Sequence, residues 1–149
     1  MNLDHDLLED MKRSMKKGDK IRVETVRGLR AQLKNAQISK GKELSDDDMV
    51  QVLSSAAKKR KESIEQFKAV GREDRAKIEQ VELDIIYEYL PEQLDEKQIG
   101  QLADAVIAEV RPASMNDMGK VMSIIMPKVK GQADGKLVQQ IVRDKLSSL

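Results

Sequence analysis

The sequence predicts an all-α protein: an N-terminal bundle of about four helices over residues 1–90, followed by a smaller three-helix domain over residues 91–149. Three observations carry this. Apolar residues recur at the 3.6-residue period of a helix, and no stretch sustains the alternation of a strand. Residues that open and close helices stand at the ends of the periodic segments. After Pro91 the segments shorten and the charge density falls, which marks the domain boundary. At 149 residues the chain has room for one domain or two small ones.

Residues 3 to 17 place Leu7, Leu8, Met11 and Met15 on one stripe, and Gly18 closes that helix. Residues 20 to 38 continue with Val26, Leu29, Leu33 and Ala36, before a break at Lys40-Gly41-Lys42. Ser45 reads as an N-cap, with Asp46, Asp47 and Asp48 in the first turn, where the helix dipole favours negative charge. That third helix carries Met49, Val52, Leu53, Ala56, Ile64 and Phe67 and stops near Gly71. A fourth starts at about Arg72, shows Ile78, Val81, Ile85, Ile86 and Tyr89, and is ended by Pro91. Asp95 with Gln98 forms a capping box for a fifth, bearing Ile99, Leu102, Ala103, Val106 and Val110, which Pro112 ends. Ser114 to Met126 gives Met118, Val121, Met122 and Ile125. Asp134 caps the last helix, with Leu137, Val138, Ile141, Val142 and Leu149.

Composition removes several chemistries. There is no cysteine, hence no disulfide, thiolate nucleophile or zinc–thiolate site. The single histidine, His5, lies between Asp4 and Asp6 as a solvated residue near a helix start; it builds neither a Ser-His-Asp triad nor a two-histidine metal site. No metal and no cofactor is expected. Phe67, Tyr87 and Tyr89 are the only aromatics, too few for base-stacking folds that read single strands. Without a signal peptide or an 18-residue apolar run, the expectation is a soluble cytoplasmic protein with no membrane contact.

The 27 basic and 26 acidic residues leave a net charge of +1, so charge-driven binding must come from uneven placement. Lys12 to Lys42 hold eleven basic residues against two acids; residues 73 to 96 hold nine acids against two bases. On a helix Arg27, Arg30 and Lys34 fall within about 60° of one another, beside the Leu29/Leu33 stripe. Such a ridge is either a solvated face pairing with neighbouring acids or a surface that contacts phosphate. In the run Lys58 to Lys61, Arg60 lies inside the apolar stripe, four residues from both Ala56 and Ile64, and Glu82 is similarly misplaced between Ile78 and Ile85. The two misfits point to a buried or half-buried ion pair that fixes register, because an unpaired charge there would cost several kcal/mol.

Gly131-Gln132-Ala133-Asp134-Gly135-Lys136 superficially resembles a phosphate loop. A nucleotide-binding loop needs four residues between its glycines, Ser or Thr after the lysine and a preceding strand; here there are three, Leu137 follows, and no strand is available. Ser55-Ala56-Ala57-Lys58 has the spacing of a serine–lysine nucleophile motif but sits mid-helix without partner motifs. Neither supports catalysis.

Together, Thr25-Val-Arg27-Gly-Leu29-Arg-Ala31-Gln-Leu33-Lys34-Asn35, Lys59-Arg60-Lys61-Glu62-Ser63 with Phe67, Gly71-Arg72-Glu-Asp74, Glu79, Glu82, Tyr89-Leu90-Pro91-Glu92-Gln93-Leu94, Met118-Gly119-Lys120-Val121-Met122 and the Gly131–Lys136 segment resemble the GatB/YqeY family over essentially the whole chain. Gln132 stands where arginine is common. The resemblance implies a helical module like the tail of the aspartyl/glutamyl-tRNA amidotransferase B subunit, which contacts the elbow of tRNA. The glutamine-dependent carbon–nitrogen ligation of that enzyme belongs to other parts, so this chain is expected to be non-catalytic alone. Two functions follow: a binder of tRNA or other structured RNA, through Lys120, Lys128, Lys130 and Lys136 with Arg27, Arg30 and Lys34, or a helical adaptor that docks proteins, such as translation-related ones. Met115, Met118, Met122 and Met126 belong either to that docking face or to the core.

Overall fold

A computed structural model describes residues 2–149; residue 1, the first of the expected N-terminal domain, lies outside the described residues. Among them the protein is all-α, with seven α-helices: α1 (Leu3–Lys17), α2 (Lys20–Lys40), α3 (Asp46–Ala69), α4 (Glu73–Tyr87), α5 (Glu96–Val110), α6 (Met118–Lys128) and α7 (Gly135–Ser147). A single 3-10 turn, Met115–Asp117, precedes α6. The chain divides into two compact units, one ending at Pro91 and the other covering Glu92–Leu149.

The N-terminal unit is two helical hairpins. Gly18, at φ 72°, ends α1 in the left-handed region, and Asp19 then caps α2 by accepting from the Arg22 amide. Ser45 and Asp48 form a reciprocal capping box that starts α3. The α3/α4 hairpin meets along a seam with alternating spacings of three and four, as in a coiled coil: Leu53, Ala57, Arg60, Ile64 and Phe67 on α3, with Ala76, Glu79, Leu83 and Ile86 on α4. That seam corrects the stripe expected on the fourth helix. Ile78 and Val81 are exposed, because Ala76 and Leu83 take the inner positions opposite α3. Tyr89 falls beyond the helix, which ends at Tyr87.

α1 differs from its expected stripe in the same way. Its buried positions are Leu3, Leu7, Asp10 and Ser14, whereas Met15 is exposed. A carboxylate and a hydroxyl occupy the inner face because they have partners there, described below.

In the C-terminal unit α5, α6 and α7 close on Ile99, Ala103, Val106, Val121, Ile125, Val129, Val138, Val142 and Leu146, all buried. Met118, Met122 and Met126 pack against this cluster, so those methionines are core; Met115 is exposed. α6 runs through Pro127 to Lys128, beyond the expected stop at Met126: the proline is one residue from the helix end. α7 buries Leu146, and Leu149 lies outside it, exposed.

Candidate functional site

The basic residues singled out by the sequence fall into two groups, one in each unit. In the N-terminal unit Arg27, Arg30 and Lys34 line up along α2 and border a groove of about 770 Å³. Lys42, just past the Gly41 turn, joins them at its rim. The floor is aliphatic: Leu33 and Ile38 from α2, then Leu44 and Met49 from the chain that follows. Arg30 is partly neutralised by Asp4 of α1, 3.2 Å from its Nε, and Arg27 has a looser, solvent-exposed contact of 3.5 Å with Glu24. Lys34 and Lys42 have no carboxylate partner among the described residues.

In the C-terminal unit Lys128 closes α6, Lys136 opens α7 and Lys130 stands in the turn between them, all three exposed. The turn is braced. Gly131 adopts φ 75°, in the left-handed region, and the Gln132 amide donates to the Val129 carbonyl at 2.8 Å. Val129 itself is fully buried. From the start of the unit, Gln93 Nε2 donates to the Gly131 carbonyl (2.7 Å) and the Leu94 amide to the Gln132 carbonyl (2.8 Å). The Gln132 side chain donates in return to the Glu92 carbonyl at 3.2 Å. Asp134 accepts from the Lys136 amide and so occupies the free N-terminus of α7. Lys120 is not part of this group: it lies near the start of α6, about 12 Å along the axis from Lys128, and faces Asp117 at 3.7 Å.

Arg60 and Glu82 do meet. The Arg60 Nε is 2.9 Å from Glu82 Oε2 and 3.6 Å from Glu79 Oε2, in a half-buried polar layer of the α3/α4 seam. The contact is ionic rather than a directed hydrogen bond, since the Arg60 N–H does not align with an acceptor and the Glu79 oxygen is buried without a donor. Burial pushes the Glu82 carboxyl up; the guanidinium opposes this and the Glu79 charge adds to it.

A second network joins α1, α2 and the residues that follow α4. Asp10, buried in α1, receives Arg22 Nε at 2.7 Å and Nη2 at 2.8 Å. The same guanidinium forks onto both oxygens of Glu88, at 2.9 and 3.0 Å. Tyr89 and Ser14 hydroxyls also donate to Asp10. The Arg22 hydrogen bonds hold the Asp10 carboxyl down at about 2, against the smaller opposing effect of burial. Burial, then the Asp10 carboxylate, pushes the Tyr89 phenol up. One signal for this network stands in the sequence: Asp10 and Ser14 continue the three–four spacing of Leu3 and Leu7, so they share the inner face of α1. Among the described residues no three His, Asp or Glu side chains converge as a metal site, and no helix is long and apolar enough to cross a membrane.

The sequence profile described as Yqey-like protein matches residues 4–146. A relative from Pyrenophora tritici-repentis, altered inheritance of mitochondria protein 41, mitochondrial, is 26% identical over 141 residues, 93% of this chain and 77% of that protein. The protein of the same name from Lachancea thermotolerans is 35% identical over 105 residues, 70% of this chain but about half, 51%, of its own length. The E subunit of the glutamyl-tRNA(Gln) amidotransferase of Saccharolobus solfataricus is 33% identical over 121 residues, 78% of this chain and only 18% of that protein.

Proposed function

The chain belongs to the YqeY-like family, and from that premise we propose that it is a non-catalytic module that binds structured RNA, tRNA in the first instance. The observation that carries this reading is the braced turn bearing Lys128, Lys130 and Lys136, three exposed cations on a rigid support within nine residues. Such a turn suits recognition of backbone shape rather than bases, and the scarcity of exposed aromatics argues the same way. The similarity to a stretch of the E subunit of a glutamyl-tRNA(Gln) amidotransferase supports the choice of tRNA. The non-catalytic part rests on the lone His5, the absence of cysteine and a Gly131–Lys136 segment in which Asp134 already caps the Lys136 amide.

Binding of labelled tRNA, measured between about 50 and 200 mM salt, tests the proposal. Replacing Lys128, Lys130 and Lys136 together by Glu is expected to weaken binding strongly and to flatten the log–log salt dependence by nearly one unit per lost phosphate contact. Replacing Arg27, Arg30 and Lys34 is expected to do less. No loss from either set, with helicity unchanged by circular dichroism, would remove RNA as the ligand. The purified protein is further expected to turn over neither ATP nor glutamine; turnover abolished by a single substitution would overturn the non-catalytic reading.

A further inference from the structure

We propose that the α2 groove of the N-terminal unit is a docking site for an acidic amphipathic helix of a protein partner, a second binding surface that shares no residue with the lysine turn. The groove exists because α1 is too short for α2. The two helices run antiparallel, with Asp10 meeting Arg22 and Asp4 meeting Arg30. α1 begins at Leu3, whereas α2 continues from Ala31 to Lys40, about 15 Å of helix with no α1 beside it. Along that overhang Ile38 is 69% exposed, a large aliphatic side chain held in water on a well-formed helix. Leu44 and Met49 extend the apolar floor, and Arg27, Lys34 and Lys42 ring it with positive charge.

α1 itself exhibits the chemistry that such a surface accepts. It presses Leu3 and Leu7 onto the α2 stripe and sets a carboxylate, Asp4, against Arg30. A helix of about 10 Å diameter laid end to end with α1 would repeat this arrangement: leucine-like residues on Ile38, Leu44 and Met49, carboxylates toward Lys34 and Lys42. Nucleic acid satisfies only half of it. Phosphates would answer the cations, but a ligand read through its backbone has no apolar surface to lay on the aliphatic floor.

The test uses the full-length protein and fluorescein-labelled synthetic peptides of about 15 residues, a panel with Leu at helical spacing and Glu on the flanks, each with a scrambled control. Fluorescence anisotropy is expected to give binding by the patterned peptides and at least about tenfold weaker binding by the scrambles. Ile38→Asp, at an exposed position, is expected to weaken the patterned peptide by about tenfold, while Ile38→Leu retains it. The Arg27→Glu/Lys34→Glu pair is expected to weaken it and to lower its salt dependence. The Lys128/Lys130/Lys136→Glu protein should bind the peptide as the unmodified protein does, so failure of the RNA reading leaves this result untouched. Equal binding of scrambled and patterned peptides, no binding below about 1 mM across the panel, or indifference to Ile38→Asp would overturn the proposal. So would loss of tRNA affinity in Ile38→Asp, which would make the groove a nucleic-acid surface.

Discussion

The N-terminal unit contains two arginines that each face two carboxylates between helices, and they are built differently. Arg22 uses its whole fork: Nε and Nη2 to Asp10, Nη1 and Nη2 to Glu88, with Tyr89 and Ser14 filling the remaining acceptors of Asp10. Arg60 approaches Glu82 and Glu79 through its Nε, and that nitrogen and Glu79 Oε2 are left without an aligned hydrogen bond. The carboxylate in the first cluster is held well below its ordinary range; the one in the second is pushed above it. Charge count is the same, so the difference lies in the supply of aligned donors. An interior ion pair stabilises when every lone pair is met and otherwise mainly sets register.

The largest way to break the comparison is Arg22→Ala. It strands a buried carboxylate and is expected to cost about 3–5 kcal/mol in urea denaturation. A loss below about 1 kcal/mol would mean that Asp10 finds other donors. Arg60→Ala should cost less, about 2 kcal/mol, because its site is partly open to water. A double-mutant cycle with Glu82→Ala should return a coupling above about 0.5 kcal/mol; additivity would show that the two do not interact.

The helices and most of their boundaries were legible because their signals are local: Gly18 and Gly41 in left-handed caps, and the boxes Ser45/Asp48 and Asp95/Gln98. Which face of α4 turns inward was not. Ile78 and Val81 share helical spacing with Ile85 just as Ala76 and Leu83 share it with Ile86, yet packing buries Ile85 with the second set and leaves Ile78 and Val81 exposed. The Arg60–Glu82 contact was legible from charges standing among apolar residues on both helices, although on α4 the inner seam position belongs to Glu79, with Glu82 beside it. Asp10 and Tyr89 are 79 residues apart, and nothing in either segment announces the other. For the site, the Lys128, Lys130 and Lys136 grouping follows from their place around one turn. The floor of the α2 groove does not, since it arises from the unequal lengths of two helices.

Acid sharpens the comparison further. Asp10, with its folded value near 2 against an ordinary 3.8, contributes stability that is complete above about pH 4 and is lost as pH falls toward 2, up to about 2 kcal/mol in all. Glu82 has the opposite sign: its contribution is complete below its ordinary 4.5 and is lost as pH rises through its raised folded value. Denaturation midpoints from pH 2 to 7 should therefore fall steeply at the acid end, and Glu82→Gln should alter only the region above about pH 4.5. An unchanged acid limb in Asp10→Asn would assign the fall to other carboxylates. The smallest effect is expected from replacing Arg60, Glu79 and Glu82 together by Met, Leu and Leu, which should leave stability within about 1 kcal/mol or raise it, whereas a strong loss would show the polar layer to be cohesive in its own right.

The hydrogen bonds that tie Glu92, Gln93 and Leu94 to the Gly131–Gln132 turn have a kinetic meaning. A loop that must be immobilised on its target surrenders conformational entropy at the moment of contact, and its complexes are correspondingly short-lived. Here that ordering is complete beforehand, through residues remote in sequence that carry no positive charge. On the RNA-binding proposal Gln93 should accordingly govern residence time: Gln93→Ala is expected to leave the association rate of tRNA unchanged and to raise its dissociation rate in stopped-flow measurements.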